Sequence, residues 1–200
     1  MDFIVALFVN RLGRGSIDPL TEIVCEVPLL VALWLVLLVL ALRFDQRDGR
    51  RVALAVVLAV ALHFLISEAL LKHLVLAELP MRVRPYLAHP GEIVPVGYRF
   101  TDSSFPSSHA ASTAAILAVF GHGYRRFLPV PLVAVLFAFV MCFSRVHNGM
   151  HYPTDVLAGS ALGVAYGALA IRAVGKAAGE IARRRAARVG EPSATPSGAP

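Results

Sequence analysis

The stretch IVCEVPLLVALWLVLLVLAL, residues 23–42, indicates the fold class. A helix needs about 20 apolar residues to cross the roughly 30 Å hydrocarbon core of a bilayer, and this run is long enough. The whole chain has the same character, with 57% hydrophobic and 16% charged residues among 200. Soluble chains have about 45–50% apolar and about 25% charged residues. The composition excludes a disordered chain and a water-soluble enzyme with an ordinary surface, and it predicts a polytopic membrane protein.

Further apolar segments extend this prediction to an all-α transmembrane helix bundle of about five spans. The additional spans are expected at residues 52–71, 108–123, 128–143 and 156–173. The first segment, residues 1–18, has an apolar run too short to cross a bilayer and lacks a small-residue cleavage site, so we expect an interfacial helix or a loose arm there. Residues 1–180 are predicted to form a single membrane domain, and residues 181–200 a basic, disordered cytoplasmic tail.

The uneven distribution of Lys and Arg predicts the orientation in the membrane. Twelve of the 19 Lys and Arg residues fall in segments 43–51, 125–126 and 172–188. Basic residues favour the cytoplasmic side, so the loops at residues 72–108 and 144–155 are expected to face outward. The net charge of +6 then reflects orientation and attraction to anionic membrane lipids, and it does not indicate nucleic-acid binding.

The segment 144–155 carries candidate catalytic groups on the outward side. His151 and Asp155 are four residues apart, so a helical turn places them on one face. A carboxylate that accepts a hydrogen bond from one ring nitrogen fixes the histidine tautomer and leaves the other nitrogen as a nucleophile or base. Arg145 offers a planar fork suited to phosphate oxygens. The alternative is that these polar residues only cap helix ends at the membrane interface.

A second outward cluster, Pro106-Ser107-Ser108-His109, opens the predicted span at residues 108–123. Ser107 or Ser108 is suited to capping that helix. Helix N-termini also bind anions through their free backbone N–H groups, so Ser107 can serve both purposes. His109 in the first turn can donate a proton to a leaving oxygen.

A third outward cluster, Arg82-Val83-Arg84-Pro85, presents the Arg84 guanidinium with the backbone held extended before the proline. Taken with the other two clusters, it provides a second phosphate clamp. Two cationic forks, a helix N-terminus and two histidines indicate phosphoryl transfer, in which preorganised donors stabilise the charge on the equatorial oxygens. A histidine nucleophile would form a phosphohistidine that water then hydrolyses.

These clusters resemble the three motifs of the type 2 phosphatidic acid phosphatase superfamily. The third motif is matched by Arg145, His151 and Asp155, with five residues between the first two and three between the last two, and by Ser144 just before Arg145. The segment 106–109 looks like the second motif, Pro-Ser-Gly-His, with Ser108 in the glycine place. Arg84 and the following proline look like the end of the first motif, Lys-x6-Arg-Pro. The resemblance covers roughly residues 50–172.

The resemblance implies a role for each matching residue. His151 would be the nucleophile, Asp155 its orienting partner and His109 the general acid for the leaving group. The family uses neither a metal nor another cofactor. The implied phosphate ligands are Arg84, Ser107, Ser108 through its backbone N–H, and Arg145.

The first motif departs from the family pattern. The family lysine would stand seven positions before Arg84, where this chain has Ala77. Either the loop is longer and Lys72 binds the phosphate, or Arg82 takes the place of the lysine. Lys72 is equally suited to pairing with Glu68, four residues earlier on the same helix face.

Within the superfamily, the small size and the block SFPSSH…SRVHNGMHYPTDVLAG are most similar to bacterial undecaprenyl-diphosphate phosphatases. The resemblance implies a lipid phosphate or diphosphate substrate, a bacterial plasma membrane location, an outward active site and a cytoplasmic C-terminus. Phosphatases of phosphatidylglycerophosphate, phosphatidate or lipid A have similar motifs and are alternatives. Two further alternatives are a metal site at His147 and His151, four residues apart, and a non-enzymatic transporter or structural protein.

Overall fold

The computed structural model describes residues 1–45, 48–75 and 81–190, with the backbone alone for residues 72–75 and 188–190. The regular elements in this described part are helices, so the all-α prediction is confirmed. Helix α4 continues directly into a π-helix, His63–Val75. The α-helices are α1 (Asp2–Arg11), α2 (Asp18–Cys25), α3 (Val27–Phe44), α4 (Gly49–Leu62), α5 (Pro85–Ala88), α6 (Ser108–Gly123), α7 (Pro129–His147) and α8 (Pro153–Gly190).

Prolines mark where several of these helices begin. Pro19, Pro28 and Pro129 occupy the first turn of α2, α3 and α7, where a missing N–H costs no intrahelical hydrogen bond. The first predicted span at residues 23–42 is observed as α3, four residues further along, because Glu26 is extended at φ −67° and ψ 117° and separates α2 from α3.

In the described part of the chain, four helices have the length and hydropathy to cross a bilayer. These are Val27–Phe44, Gly49–Leu71, Pro129–His147 and Pro153–Ala187. The remaining predicted span is α6, which has 16 residues and packs among α4, α7 and α8 at the centre of the bundle. Large apolar side chains on α3 and α7, such as Leu35 and Phe139, are exposed on the outside, where a lipid-facing surface requires them.

Helices α6 and α8 pack closely along a stripe of glycines, Gly159, Gly163 and Gly167. A Cβ on Gly163 would lie 2.1 Å from the Ala111 carbonyl oxygen, and one on Gly159 would lie 2.5 Å from the Ser107 carbonyl oxygen. Small residues allow such close backbone approach between membrane helices. The stripe therefore places the start of α6 beside the start of α8.

The N-terminal segment is a docked helix and not a loose arm. Helix α1 buries Ala6 and Asn10 against the rest of the protein. The Asn10 Nδ2 donates to the carbonyl oxygens of His147, at 2.6 Å, and Val94, at 2.9 Å. The Asn10 Oδ1 accepts from the Val94 N–H at 3.1 Å. One buried amide thus ties α1 to the end of α7 and to the loop before α6.

Helix α8 extends through residue 190, so residues 181–190 of the segment expected to be disordered are helical. Ala and Arg, which dominate this stretch, are strong helix formers. Glu180 accepts hydrogen bonds from Arg183 at 2.8 Å and from Arg184 at 2.9 Å, the spacings that support an exposed helix. Residues 191–200 lie outside the described residues.

Replacing Gly163 with Ala is expected to destabilise the protein by about 1–3 kcal/mol, because the added methyl group overpacks the α6–α8 contact. Gly175→Ala is the matched control on the same helix, since nothing lies within 4 Å of its added Cβ. This control should be neutral or stabilising by up to about 1 kcal/mol through helix propensity. Thermal unfolding of both variants in one detergent measures the difference, and equal midpoints would contradict the proposed packing constraint.

Candidate active site

The three sequence motifs meet at one end of the bundle. The end of α7, the starts of α6 and α8, and the loop that follows α5 surround a cavity of about 190 Å³. Each motif contributes at least one lining side chain. The cavity is lined by Glu68, Arg84, Phe100, Asp102, Ser108, His109, Arg145 and His151.

His151 is buried at the base of this arrangement, with 3% of its surface exposed. Its Nδ1 lies 2.7 Å from the Ser104 carbonyl oxygen. A carbonyl can only accept, so Nδ1 carries the proton and Nε2 keeps its lone pair. The lone pair faces two guanidinium groups, with Nε2 3.3 Å from Arg84 Nη1 and 3.5 Å from Arg145 Nη2.

The surroundings of His151 favour its neutral form. Burial lowers the pKa of His151 well below its usual value, and the charges of Arg145 and Arg84 lower that pKa further. The ring is therefore unprotonated at neutral pH, as a histidine nucleophile requires.

Asp155 does not make the hydrogen bond to His151 that its spacing predicts. Its Oδ2 lies 3.8 Å from His151 Nδ1 and accepts instead from the Tyr152 N–H at 2.8 Å. Tyr152 immediately precedes α8, so Asp155 caps its own helix in the manner of a capping box. The Ser104 carbonyl sets the histidine tautomer, and the Asp155 carboxylate is a second, more distant neighbour of the ring.

The two arginines are held as a pair of clamps around Phe100. Their guanidinium carbons lie 5.4 Å (Arg84) and 5.6 Å (Arg145) from the centre of the Phe100 ring. Arg84 donates to the Met150 carbonyl at 3.1 Å and to the Asp102 carboxylate at 2.7 Å, and it is 4% exposed. Arg145, in the last turn of α7, is equally buried, and its Nε has no hydrogen-bond partner among the described residues. Fixed guanidinium donors of this kind suit the oxygens of a phosphate.

The start of α6 forms the opposite wall. Ser107 precedes the helix, its side chain makes no capping bond, and its Oγ has no hydrogen-bond partner among the described residues. The Ser108 hydroxyl donates to Glu68 at the start of α6, the end of a helix that favours an anion. His109 Nε2 lies 3.2 Å from the Cys25 carbonyl, so Nε2 is a donor.

Arg82 does not join the other predicted phosphate ligands. Its guanidinium points away from the cavity and pairs with the carboxylates of Asp155 and Asp2, both at 2.5 Å. The side chain of Lys72, the other candidate for the first-motif lysine, lies outside the described residues, as does Ala77.

Some residues of the site were absent from the sequence-based prediction. Phe100 lies outside the three motifs, and Ser104 acts through its carbonyl, a group that every residue possesses. Asp102 also lies outside the three motifs. Their roles depend on how that loop folds over the bundle, and no local pattern reports this.

The metal alternative at His147 and His151 is not supported by the ring orientations. His147 bonds the Val9 carbonyl at 3.0 Å and Asp18 at 2.8 Å, whereas the His151 ring points to Ser104 and the arginines. Across the residues that the structure describes, no three His, Cys, Asp or Glu side chains form a group that could hold a metal ion.

The environment of His151 generates a pH-dependent prediction. The folded protein should keep His151 neutral below pH 6.5, while the unfolded chain takes up a proton at its ordinary pKa of about 6.5. Because the unfolded state then binds more protons, the stability that His151 contributes is present above about pH 6.5 and is lost as the pH falls below it. NMR of ¹⁵N-histidine-labelled protein in micelles, with His151→Ala to assign the resonance, measures this directly. Titration at pH 6.5 or above would contradict the prediction.

Comparison with known proteins places these motifs in a family. A model described as the PAP2 superfamily matches residues 51–178. The decaprenylphosphoryl-5-phosphoribose phosphatase of Mycobacterium tuberculosis is 46% identical over 66 residues, which are 33% of this chain and 34% of that protein. This chain therefore matches about a third of the length of that relative. The bacitracin transport permease protein BcrC of Bacillus licheniformis is 29% identical over 163 residues, 78% of this chain and 72% of that protein.

Two crystal structures share the fold. LpxE of Aquifex aeolicus superposes with a TM-score of 0.68 at 20% identity, over 84% of this chain and 93% of that one. The first transmembrane PAP2-type phosphatidylglycerolphosphate phosphatase from Bacillus subtilis gives a TM-score of 0.61 at 20% identity, over 84% and 82% of the two chains. The apolar helices and these neighbours identify a multi-pass membrane protein. Since the family model spans more than half of the chain, including all the motif residues gathered at this cavity, the protein belongs to the PAP2 superfamily.

Proposed function

We propose that this protein is a metal-independent lipid phosphatase that removes a phosphate from a polyprenyl diphosphate, of which undecaprenyl diphosphate is the first candidate. The observation that carries the proposal is the His151 ring, whose free Nε2 lies within 3.5 Å of two guanidinium groups at a buried cavity. Membership in a family with phosphatases among its named relatives supports the same reaction class.

In the first step, His151 Nε2 attacks the phosphorus and forms a P–N bond as the P–O bond to the leaving group breaks. Arg84 and Arg145 bind the equatorial oxygens, where charge is spread in the transition state. The backbone N–H groups at the start of α6 add donors on the other side, and the positive end of that helix favours the anion.

His109 completes this step by giving a proton to the bridging oxygen of the diphosphate, so polyprenyl monophosphate leaves with one negative charge fewer. Water then gives a proton to His109 as it attacks the phosphohistidine, the P–N bond breaks, and inorganic phosphate leaves with both histidines restored. The Ser104 carbonyl keeps the proton on Nδ1 throughout, so the same nitrogen attacks in every turnover.

The surroundings of the cavity suit a long apolar tail. An apolar groove of about 500 Å³ runs between α3, α4 and α6 and shares Ser108 and His109 with the phosphate cavity. A polyprenyl chain lying in this groove would bring its terminal phosphate to His151 and the bridging oxygen of the diphosphate to His109. The mycobacterial relative is named for a decaprenylphosphoryl substrate, which favours a polyprenyl lipid and makes a polyprenyl-linked phosphosugar the second candidate.

The charge distribution supports an outward-facing phosphate site with a cytoplasmic C-terminus in a bacterial plasma membrane. At the opposite end of the bundle, a cavity of about 500 Å³ is lined by Arg51, Arg125 and Arg126. Basic residues favour the cytoplasmic side, so the end with His151 would face outward.

Transport is a second function to be tested, because the Bacillus licheniformis relative is named a transport permease. A transport pathway would place ionisable groups at mid-span on facing helices. In this chain the convergent charged groups lie at the end of the bundle, around His151, which favours hydrolysis.

The proposed function is tested by phosphate release in detergent from undecaprenyl diphosphate, phosphatidylglycerophosphate and phosphatidate, measured side by side. We expect the highest kcat/KM with undecaprenyl diphosphate. His151→Ala should reduce turnover by on the order of 10³-fold or more, because no other group can form the covalent intermediate. His122→Ala is the matched control, since His122 is exposed at the opposite end of the bundle and bonds only locally with Arg125. Release from none of the lipids, or full activity of His151→Ala, would overturn the proposal.

His109→Ala should slow reactions according to the leaving group. A phosphate ester of a lipid alcohol has a poor leaving group, so its kcat/KM should fall by about 10²–10⁴-fold. An activated aryl phosphate needs little protonation and should lose far less. Equal losses on the two substrates would argue against His109 as the general acid.

A further inference from the structure

We propose that Asp2 of helix α1 and Arg82 of the outer loop are positioning residues for His151, so that the N-terminal helix belongs to the catalytic apparatus. The kinetic part of this inference rests on the proposed phosphatase function. Neither residue lines the phosphate cavity, and both act through groups that contact the histidine.

Arg82 bridges the carboxylates of Asp2 and Asp155, which are far apart in the sequence. Its Nη1 lies 2.5 Å from Asp155 Oδ1 and 2.8 Å from Thr154 Oγ1. Its Nη2 lies 2.5 Å from Asp2 Oδ2. The guanidinium also stacks 4.5 Å above the centre of the Tyr152 ring, the residue between His151 and α8. The planar fork of arginine is suited to holding both acids at once.

Asp2 contacts the first turn of α8 as well as Arg82. Its Oδ1 accepts from the Thr154 N–H at 3.2 Å, and its Oδ2 accepts from the Thr154 hydroxyl at 2.6 Å. A carboxylate is favoured at a helix start, where free N–H groups and the helix dipole attract negative charge. Burial acts to raise the pKa of Asp2, but the hydrogen bonds from Thr154 and Arg82 outweigh it and hold that pKa below its ordinary value. Asp2 is thus a capping residue for α8 that is supplied by α1.

Arg82 reaches His151 by two routes. Through its side chain it holds Asp155, whose carboxylate lies 3.8 Å from His151 Nδ1. Through its backbone it fixes Ser104, because the Arg82 carbonyl accepts from the Ser104 N–H at 2.9 Å. The Ser104 carbonyl in turn accepts from His151 Nδ1 at 2.7 Å. Both routes end at the nitrogen that sets the tautomer, on the side of the ring away from the phosphate cavity.

The alternation of charges along the ion-pair chain explains how Asp2 can affect His151 without contacting it. Asp2, Arg82 and Asp155 alternate negative, positive and negative, so Arg82 divides its charge between two acids. If the Asp2 charge were removed, Asp155 would be the one carboxylate left to pair with the Arg82 guanidinium. The positive charge would then offset more of the Asp155 charge and weaken the negative potential at His151 Nδ1. The loss of the Asp2 charge would also release α1 from the first turn of α8. Both effects change the orientation and basicity of the nucleophile and leave the phosphate clamps, Arg84 and Arg145, untouched.

Asp2→Asn is therefore expected to lower kcat by about tenfold and to change KM by less than about twofold. The loss of kcat should be smaller than the roughly 100-fold that a 1 Å misplacement of a reacting group can cause, because Asp2 acts on His151 only indirectly. Asp2→Glu keeps the charge and should recover part of the loss. Asp18→Asn is the matched control, because Asp18 also ties an N-terminal helix to the bundle, through His147 Nε2 at 2.8 Å, without contacting Arg82, Asp155 or Ser104. It should keep kcat even if its unfolding midpoint falls.

Two further measurements separate positioning from simple stabilisation. If Asp2 acts through Arg82, Asp2→Asn should cause little additional loss in an Arg82→Ala background, whereas independent effects would add. The ¹⁵N signal of His151 Nδ1 should shift in Asp2→Asn and stay in place in Asp18→Asn.

The NMR arm requires no turnover, so it tests the positioning role even if no lipid is hydrolysed and the proposed function fails. An unchanged His151 signal in Asp2→Asn would by itself overturn the inference. Losses that match those of Asp18→Asn, or that add fully to those of Arg82→Ala, would overturn it as well.

Discussion

The close contact between α6 and α8 is the constraint on which the rest of the structure depends. Gly159 and Gly163 lie so near the carbonyl oxygens of Ser107 and Ala111 that no side chain fits between the backbones. In a bilayer, where apolar burial gives little drive for helix association, such close packing is a main source of attraction. It also fixes function, because the Ser107 N–H donates to the Asp155 carbonyl at 3.2 Å and thereby joins the second motif to the third.

Beside this contact, the protein buries two positively charged side chains, although removing a charged group from water is unfavourable. Arg84 and Arg145 are almost fully buried, and both face the neutral His151 ring. Asp102, which pairs with Arg84, is 58% exposed and lies at the rim. Glu68 also lines the cavity, and a bound phosphate would add the negative charge that buried guanidinium groups favour. Burial lowers the pKa of His151, and the charges of Arg145 and Arg84 lower it further, so the two proposed phosphate ligands also favour the unprotonated ring.

The support for this site comes from parts of the chain that carry no family motif. Helix α1 contributes Asn10, which bonds the end of α7 and the outer loop, and Asp2, which caps α8. Helix α2 contributes Asp18, which bonds His147. The pKa of Asp18 is lowered: burial acts to raise it, but the hydrogen bond from His147 and the nearby Arg14 charge outweigh burial. Helix α1 thus braces the end of the bundle that holds the site, whereas Asp18 holds α2 against α7 away from the cavity.

The sequence by itself determined the all-α membrane architecture and five of the residues that line the cavity, namely Arg84, Ser108, His109, Arg145 and His151. Long apolar runs specify membrane helices, because the bilayer leaves the backbone no other way to satisfy its polar groups. The spacing of Arg145, His151 and Asp155 indicated phosphate chemistry, because a guanidinium fork suits phosphate oxygens and a carboxylate four residues from a histidine can orient its ring. Residues 181–190 were predicted to be disordered, whereas the structure has them in α8, where Ala, Arg and Glu180 favour the helix that continues through residue 190. Only the tertiary structure decided that the Ser104 carbonyl holds His151, that Arg82 pairs with Asp155 and Asp2, and that Phe100 lies beside both Arg84 and Arg145. These choices depend on main-chain groups and on contacts between distant segments, and a one-dimensional pattern encodes neither.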